Sequence, residues 1–268
     1  MAKKYYIIDA HCHVYPDRIA EIAVAHTDTF YGLKSLHLGT VSDLLSGEGR
    51  SDVDKFIVQS LATSPHQVKR INEFIAKEVC EHSDRLIGLG TMHPESKTME
   101  ADLEHLIELG LHGVKLHADI QDFAVDDERC LKIYSLCEKK GVPILMHAGD
   151  KRYDRSNPNR ILPVIKKFPS LTFVAAHLGG WSVWGEAAKA LKGAENLYVD
   201  TSSSSAFLLK DEMKRIIDAY GTDRVLFGTD YPMWRADNEI EYLLSLGYSE
   251  SEYENIFAKN ALRAYKLK

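Results

Sequence analysis

The sequence is poor in the features that would remove it from the class of reduced, folded enzymes and binding proteins. No apolar stretch approaches the ~20 residues a membrane-spanning helix needs. No targeting segment is read before the first hydrophobic run, because Met1–Lys4 leads straight into Tyr5. Cysteine is scarce: Cys12, Cys80, Cys130 and Cys137 form no CxxC pair and no disulfide-like framework. A basic surplus is missing too, with a net charge of −6, and that speaks against a nucleic-acid surface. Low-complexity tracts and linkers are absent, so one domain over residues 1–268 is expected. The compartment these absences predict is cytoplasmic, with neither membrane nor nucleic acid as a partner.

What is present suits an α/β barrel. The length of 268 residues is comfortable for one (β/α)8 TIM barrel, which needs about 250. The 45% hydrophobic content can fill its core. Short apolar runs alternate with longer amphipathic stretches, the pattern of repeated βα units around a parallel sheet. Strands are predicted at Tyr5–Ala10, Lys55–Leu61, Leu86–Thr91, Gly113–Leu116, Pro143–Met146, Leu171–Ala176, Leu197–Asp200 and Val225–Gly228. Helices are predicted over Ser64–Glu81, Met99–Leu109 and Glu128–Lys139. Gly110, Gly141 and Gly221 stand where helix C-terminal caps belong. The one long interval, Val14–Asp54, is predicted to be an insertion after strand one that covers a mouth of the barrel.

Barrel chemistry sits at the C-terminal ends of the strands. The first strand runs into His11-Cys12-His13, where alternation turns both imidazoles to one face and Cys12 to the other. Two neutral imidazoles side by side are half of a metal site. Strand four ends in Lys115-Leu116-His117, strand five at His147, strand six at His177 and strand eight at Asp230. Any one of these can be a satisfied core residue; five strand ends supplying such groups to one rim point to metal chemistry. The remaining histidines, His26, His37, His66, His82, His93, His105 and His112, are read as surface residues, least firmly for His93 after strand three.

These motifs resemble the amidohydrolase superfamily, and within it the amidohydrolase-2 branch of metal-dependent hydrolases and aminocarboxymuconate-semialdehyde decarboxylase-like enzymes. The resemblance rests on Asp9-Ala10-His11-Cys12-His13, Gly113-Val114-Lys115-Leu116-His117, His147-Ala148-Gly149-Asp150, Ala176-His177-Leu178-Gly179-Gly180 and Phe227-Gly228-Thr229-Asp230-Tyr231-Pro232. It implies that His11, His13, His147 and Asp230 hold one divalent metal. It also implies that His177 activates or orients a water on that metal, with Asp230 sharing the proton handling. An imidazole-carboxylate set suits Zn2+ best, with Mn2+ or Fe2+ as alternatives. The expected activity is hydrolysis of a small anionic metabolite by a metal-activated water. Non-oxidative decarboxylation is the alternative, and a non-catalytic ligand-binding barrel comes after both. Members of the family often pair into homodimers. A nuclease of the same barrel class ranks low, because strand four lacks an acidic ligand.

Lys115 is expected first to contact substrate together with His117, second to be carbamylated and bridge two metals as in binuclear members, and third to be an ion-paired rim residue. The loop after strand five carries Lys151, Arg152, Arg155 and Arg160 beyond a presumptive ligand. Guanidinium groups grip carboxylates, so Arg152 and Tyr153 are candidate substrate contacts; equally, these charges pair with Asp150 and Asp154 on a solvated loop. Trp181 is expected to wall the site and Trp184 to anchor the core. Thr201 either bonds a ligand or caps the next helix.

Overall fold

The computed structural model describes residues 4–46 and 52–268. Parallel strands alternate with helices in chain order: β1 (Ile8–His13), α1 (Asp17–Tyr31), α2 (Val41–Ser46), β2 (Lys55–Gln59), α3 (Val68–Glu81), β3 (Leu86–Gly88), β4 (Gly90–Thr91), α4 (Met99–Glu108) and β5 (Val114–Leu116). Then follow α5 (Glu128–Lys140), β6 (Ile144–Met146), α6 (Pro158–Lys167), β7 (Phe173–Ala175), α7 (Trp184–Leu191), β8 (Leu197–Asp200), α8 (Lys210–Tyr220) and β9 (Val225–Leu226). The chain ends in α9 (Ala236–Leu244), α10 (Glu250–Glu254), a π-helical turn and α11 (Asn260–Ala264).

The strands form two runs, β1-β2-β3 and β4 through β9, every pair parallel. Backbone hydrogen bonds join the runs into one barrel. Leu89 N–H donates to Val58 O at 2.9 Å and Gly90 N–H to Gly113 O at 2.9 Å. The last strand meets the first through Ala10 N–H to Phe227 O at 2.8 Å and a parallel bridge between Cys12 and Tyr231. The (β/α)8 expectation therefore holds, with the predicted third strand divided into β3 and β4 at Leu89. The first strand lies later than predicted and carries His11 and His13 within it.

Alternation along the strands separates two cores. Ile8, Ala10, Ile57, Leu89, Leu145, Val174, Ala176 and Leu226 fill the barrel, closed below by Ala258, Ala261, Ala264 and Tyr265 from the C-terminal helices. Phe56, Val58, Val114, Leu116, Ile144, Met146, Phe173 and Val199 face outward into the layer beneath the helices. All three predicted cap glycines have positive φ, at 74°, 66° and 88°. The segment between β1 and β2 folds as α1 and α2, and residues of its first part reach over the mouth into which the strand ends open. Residues 47–51 of that insertion lie outside the described part.

Candidate metal centre

β1 aims His11 and His13 at the barrel mouth, while Cys12 is fully buried in the outer layer on the opposite face. Asp230 reaches them from the turn after β9. That turn is pinned to β1 by Thr229, whose N–H and Oγ1 bond the Asp9 carboxylate at 3.0 and 2.6 Å, and by Asp230 N–H to His11 O at 2.9 Å. Gly228 permits the approach, since a Cβ there would stand 3.0 Å from His11 Cβ. Asp230 and His177 both hold positive φ, 64° and 59°, a strain of about 1–3 kcal/mol per residue of the kind found at functional sites.

The three side chains converge. His11 Nε2 and His13 Nε2 are 3.2 Å apart, and Asp230 Oδ1 lies 3.3 Å from the first and 3.6 Å from the second. Ligands on ~2.1 Å arms around a tetrahedral ion stand about 3.4 Å apart, so this spacing fits a divalent cation without rearrangement. Hydrogen bonds set the tautomers. Asp200 Oδ2 accepts from His11 Nδ1 at 2.9 Å, which leaves the Nε2 lone pair facing the triad. This carboxylate-backed imidazole is the usual support of a metal-binding histidine. Lys115, wholly buried, donates from Nζ to His11 Nε2 at 3.0 Å.

His147 stands beside this triad and not in it. Its Nε2 is 2.9 Å from Gly149 O, a pure acceptor, and the Nδ1 of His177 is 3.1 Å from Ser202 O, also an acceptor. The protons therefore sit on those outer nitrogens. His147 Nδ1 and His177 Nε2 face each other at 3.0 Å with lone pairs on both sides, a contact that an ion or a shared proton would satisfy.

Burial dominates the titration of the site. It lowers His177 to about 4 and drives His13, His117 and His147 well below the ordinary range, the nearby Lys115 charge adding to the effect. These four imidazoles are thus neutral at pH 7. Burial likewise lowers Lys115, to about 8, opposed by Asp230 and Asp200. For Asp230 burial alone would raise the pKa; His11, His177 and His13 outweigh it and hold the carboxyl at about 2.

A cavity of about 580 Å³, part of it open to solvent, lies above the triad, lined in part by Lys115, His117, His147, His177 and Trp181. It is also lined by Tyr31, whose hydroxyl is 2.7 Å from His117 Nε2. Arg152 and Tyr153 are not among the lining residues. Arg152 pairs with Asp150 at 2.7 Å and packs within 6 Å of the rings of Phe30, Tyr31, Tyr153 and Trp181. Arg160 pairs with Asp154 and Asp126, and Arg155 with Asp122. Three of the four cations of this loop are therefore neutralised within the fold. Trp184 packs against the core as expected. Thr201 neither caps a helix nor faces the cavity; its Oγ1 bonds both Gly228 N–H and Gly228 O, tying β8 to β9. His93 is buried, contrary to its surface reading, and its Nδ1 accepts from Glu95 N–H.

Among the described residues two further buried His/Asp groups occur: His11, His177 and Asp200, in which Asp200 already bonds His11 Nδ1, and His117, Asp119 and His147. In the latter group the two imidazoles stack 3.8 Å apart at 6°. Nearly parallel rings do not direct in-plane lone pairs at one ion, so the first triad is the better site. Sequence reasoning passed over Asp200, Ser202, Asp119 and Tyr31. Asp200 carried a signal, an acid at the end of a strand; Tyr31 carried none.

Comparison with known proteins agrees with this construction. The amidohydrolase family model matches residues 8–267. The chain is 24% identical, in an alignment that covers 72% of this chain and 64% of that relative, to 2-amino-3-carboxymuconate-6-semialdehyde decarboxylase of Dictyostelium discoideum. It superposes on an uncharacterised TIM-barrel protein of Bordetella bronchiseptica with a TM-score of 0.80 at 21% identity, covering 98% of this chain and 99% of that one. It superposes on a dihydroxybenzoic acid decarboxylase of Polaromonas, solved with manganese and 2-nitroresorcinol, with a TM-score of 0.75 at 16% identity, covering 98% and 97%. With its ligand-bearing strand ends inside a family match that runs almost from end to end, this chain belongs to the amidohydrolase family.

Proposed function

We propose that the chain is a metal-dependent carboxy-lyase that removes CO2 from a small carboxylate without a redox step. The observation that carries this reading is Lys115, a buried lysine 3.0 Å from His11 Nε2, immediately beside the metal triad. A cation buried there matches a carboxylate held at the triad, where the reacting group of a decarboxylase substrate sits, whereas in hydrolysis of an anionic metabolite the attacked carbonyl takes that place and the carboxylate lies elsewhere. The names of the Dictyostelium and Polaromonas proteins support the same choice over hydrolysis.

In this reading His11, His13 and Asp230 would hold one divalent ion, and His147, which stands outside the triad, would serve as a fourth ligand only by turning its Nδ1 away from His177. Bound there, such an ion would supply Lewis acidity toward the substrate. Manganese in the Polaromonas structure favours Mn2+ alongside Zn2+. Lys115 orients the carboxylate. His177, its Nδ1 proton held by Ser202 O, would take a proton from solvent at Nε2, the nitrogen that faces His147 Nδ1, and deliver it to the carbon that bears the carboxylate. As that C–H bond forms the carbon–carboxylate bond breaks, its electron pair stays with the substrate and CO2 leaves. Trp181 and His117 bound the substrate space.

A second reading rests on the facing lone pairs of His147 and His177. Those nitrogens and a carbamylated Lys115 would hold a second ion, and hydrolysis would regain the lead. Metal analysis separates the two, at about one or about two equivalents per chain. The functional test is CO2 release from a panel of unsaturated and aromatic carboxylates by metal-loaded protein. Lys115→Met should lower that release at least 100-fold with triad metal retained. Turnover of neutral esters or lactones that Lys115→Met leaves intact would overturn the reading.

A further inference from the structure

Tyr31 comes from the last turn of α1, in the insertion after β1, and hangs over the cavity. His117 fixes which way its hydroxyl can act. The backbone N–H of Ile120 donates to His117 Nδ1 at 3.3 Å, so in the neutral ring the proton is on Nε2. Nε2 therefore donates to the Tyr31 oxygen 2.7 Å away, and the phenolic hydrogen is left to donate elsewhere. His117 is itself held, its N–H bonded to Gln121 Oε1 at 2.8 Å while Gln121 Nε2 bonds Ala62 O and Met92 O. The ring of Tyr31 is fixed edge-on against Trp181, with centroids 5.2 Å apart at 72°. A preset donor thus stands on the insertion, at the end of a built chain of hydrogen bonds.

The charges around it are one-sided. Among the described residues lining the cavity, Lys115 is the one lysine or arginine, and it stands at the metal triad. Arg152, just behind Tyr31 and Trp181, is already held by both Asp150 oxygens and by Phe30 O. The walls away from the triad bring no second cation: Leu33, Leu61, Ile120, Trp181 and Met233 are apolar or aromatic, and Thr27 is polar but uncharged. A carboxylate brought to the triad finds two positive partners there; a second carboxylate further out finds none, and an unpaired buried charge is costly.

We propose that Tyr31 is a specificity-determining residue: its hydroxyl donates to a neutral oxygen substituent of a planar monocarboxylate, and the cavity discriminates against dicarboxylates. The proposal deepens the carboxy-lyase reading and rests on it for the carboxylate placed at the triad. Calorimetric titration of Mn2+-loaded wild type and Tyr31→Phe with benzoate, the three hydroxybenzoates and benzene-1,3-dicarboxylate tests it. At least one hydroxybenzoate should bind wild type more tightly than benzoate and lose three- to tenfold in Tyr31→Phe, with benzoate itself unchanged. The dicarboxylate should bind wild type at least tenfold more weakly than that hydroxybenzoate. An unchanged hydroxybenzoate affinity in Tyr31→Phe, an equal loss for every ligand, a dicarboxylate that binds as tightly, or no binding of any probe would overturn the proposal. Binding is read independently of turnover, so absent CO2 release beside the expected affinities would fall on the reaction and not on Tyr31.

Discussion

Asp200 orients both His11 of the candidate metal triad and its neighbour His177. Its Oδ2 holds His11 Nδ1, while Oδ1 accepts from His177 N–H at 3.0 Å and from the Ser202 hydroxyl. One carboxylate therefore sets the tautomer of His11 and the position of His177. Asp200→Asn should weaken metal binding by 10–100-fold, read by chelator competition; unchanged affinity would mean that His11 is oriented by something else. Glu239 gives the clearest pH signature away from the ligands. Burial raises its carboxyl to about 7, and the Ser205 hydroxyl at 2.5 Å only partly offsets this. Because the folded form binds the proton more tightly than the unfolded chain, this contribution to stability is present below about 4.5 and is lost as pH rises through 7. Glu239→Gln should flatten that loss, making the variant the more stable protein at pH 8 by up to about 3 kcal/mol in urea unfolding. At this scale the sequence was legible wherever a functional group sat next to a strand: His11, His13, Lys115, His147, His177 and Asp230 all meet at one mouth. For Arg152 the two readings were evenly weighed, and the pairing with Asp150 is the one the structure shows. Tyr31 was illegible because its partner lies 86 residues away.

Individual elements show how the barrel supports that mouth. The break between β3 and β4 is filled from the side: Asn72, buried in α3, accepts from Thr91 N–H at 2.8 Å and donates from Nδ2 to Thr91 O at 3.1 Å. A side-chain amide thus does for β4 what a ladder partner does elsewhere. Asn72→Ala leaves two buried backbone groups unsatisfied and should cost about 2–4 kcal/mol, measured by urea unfolding; a loss below 1 kcal/mol would show that water replaces the amide. The same bond explains an error of reading. Leu86–Thr91 reads Leu-Ile-Gly-Leu-Gly-Thr, and the glycines on either side of Leu89 were the one mark of the change of partner there. β8, by contrast, coincides with its predicted span because alternating Leu197, Tyr198, Val199 and Asp200 are bounded by polar residues on both sides. The loop after β6 depends on a close approach. Gly149 has φ 77°, and a Cβ there would come within 2.5 Å of the Gly180 backbone. Glycine at this point lets Gly149 O reach both His147 Nε2 and Ser156 Oγ.

For the whole molecule, the metal triad and the barrel seam are one structure. His11 and His13 belong to the first strand, Asp230 to the turn after the last, and the backbone bonds that close the barrel run between the same residues: Asp230 N–H to His11 O and His13 N–H to Tyr231 O. An ion held by these side chains would therefore cross-link the first and last strands, which lie more than two hundred residues apart in the chain and otherwise meet through short ladders. Chelation should consequently act on the fold as well as on turnover. At a metal concentration of about 1,000 times Kd the bound ion adds about 4 kcal/mol, which for a domain of this size corresponds to a fall of roughly 10 °C in Tm on removal. Asp230→Ala should melt at one temperature with or without chelator, since it has no triad to empty. Wild-type protein whose melting is indifferent to chelator, despite a full equivalent of metal by elemental analysis, would place the ion away from the seam and remove His11, His13 and Asp230 as its ligands.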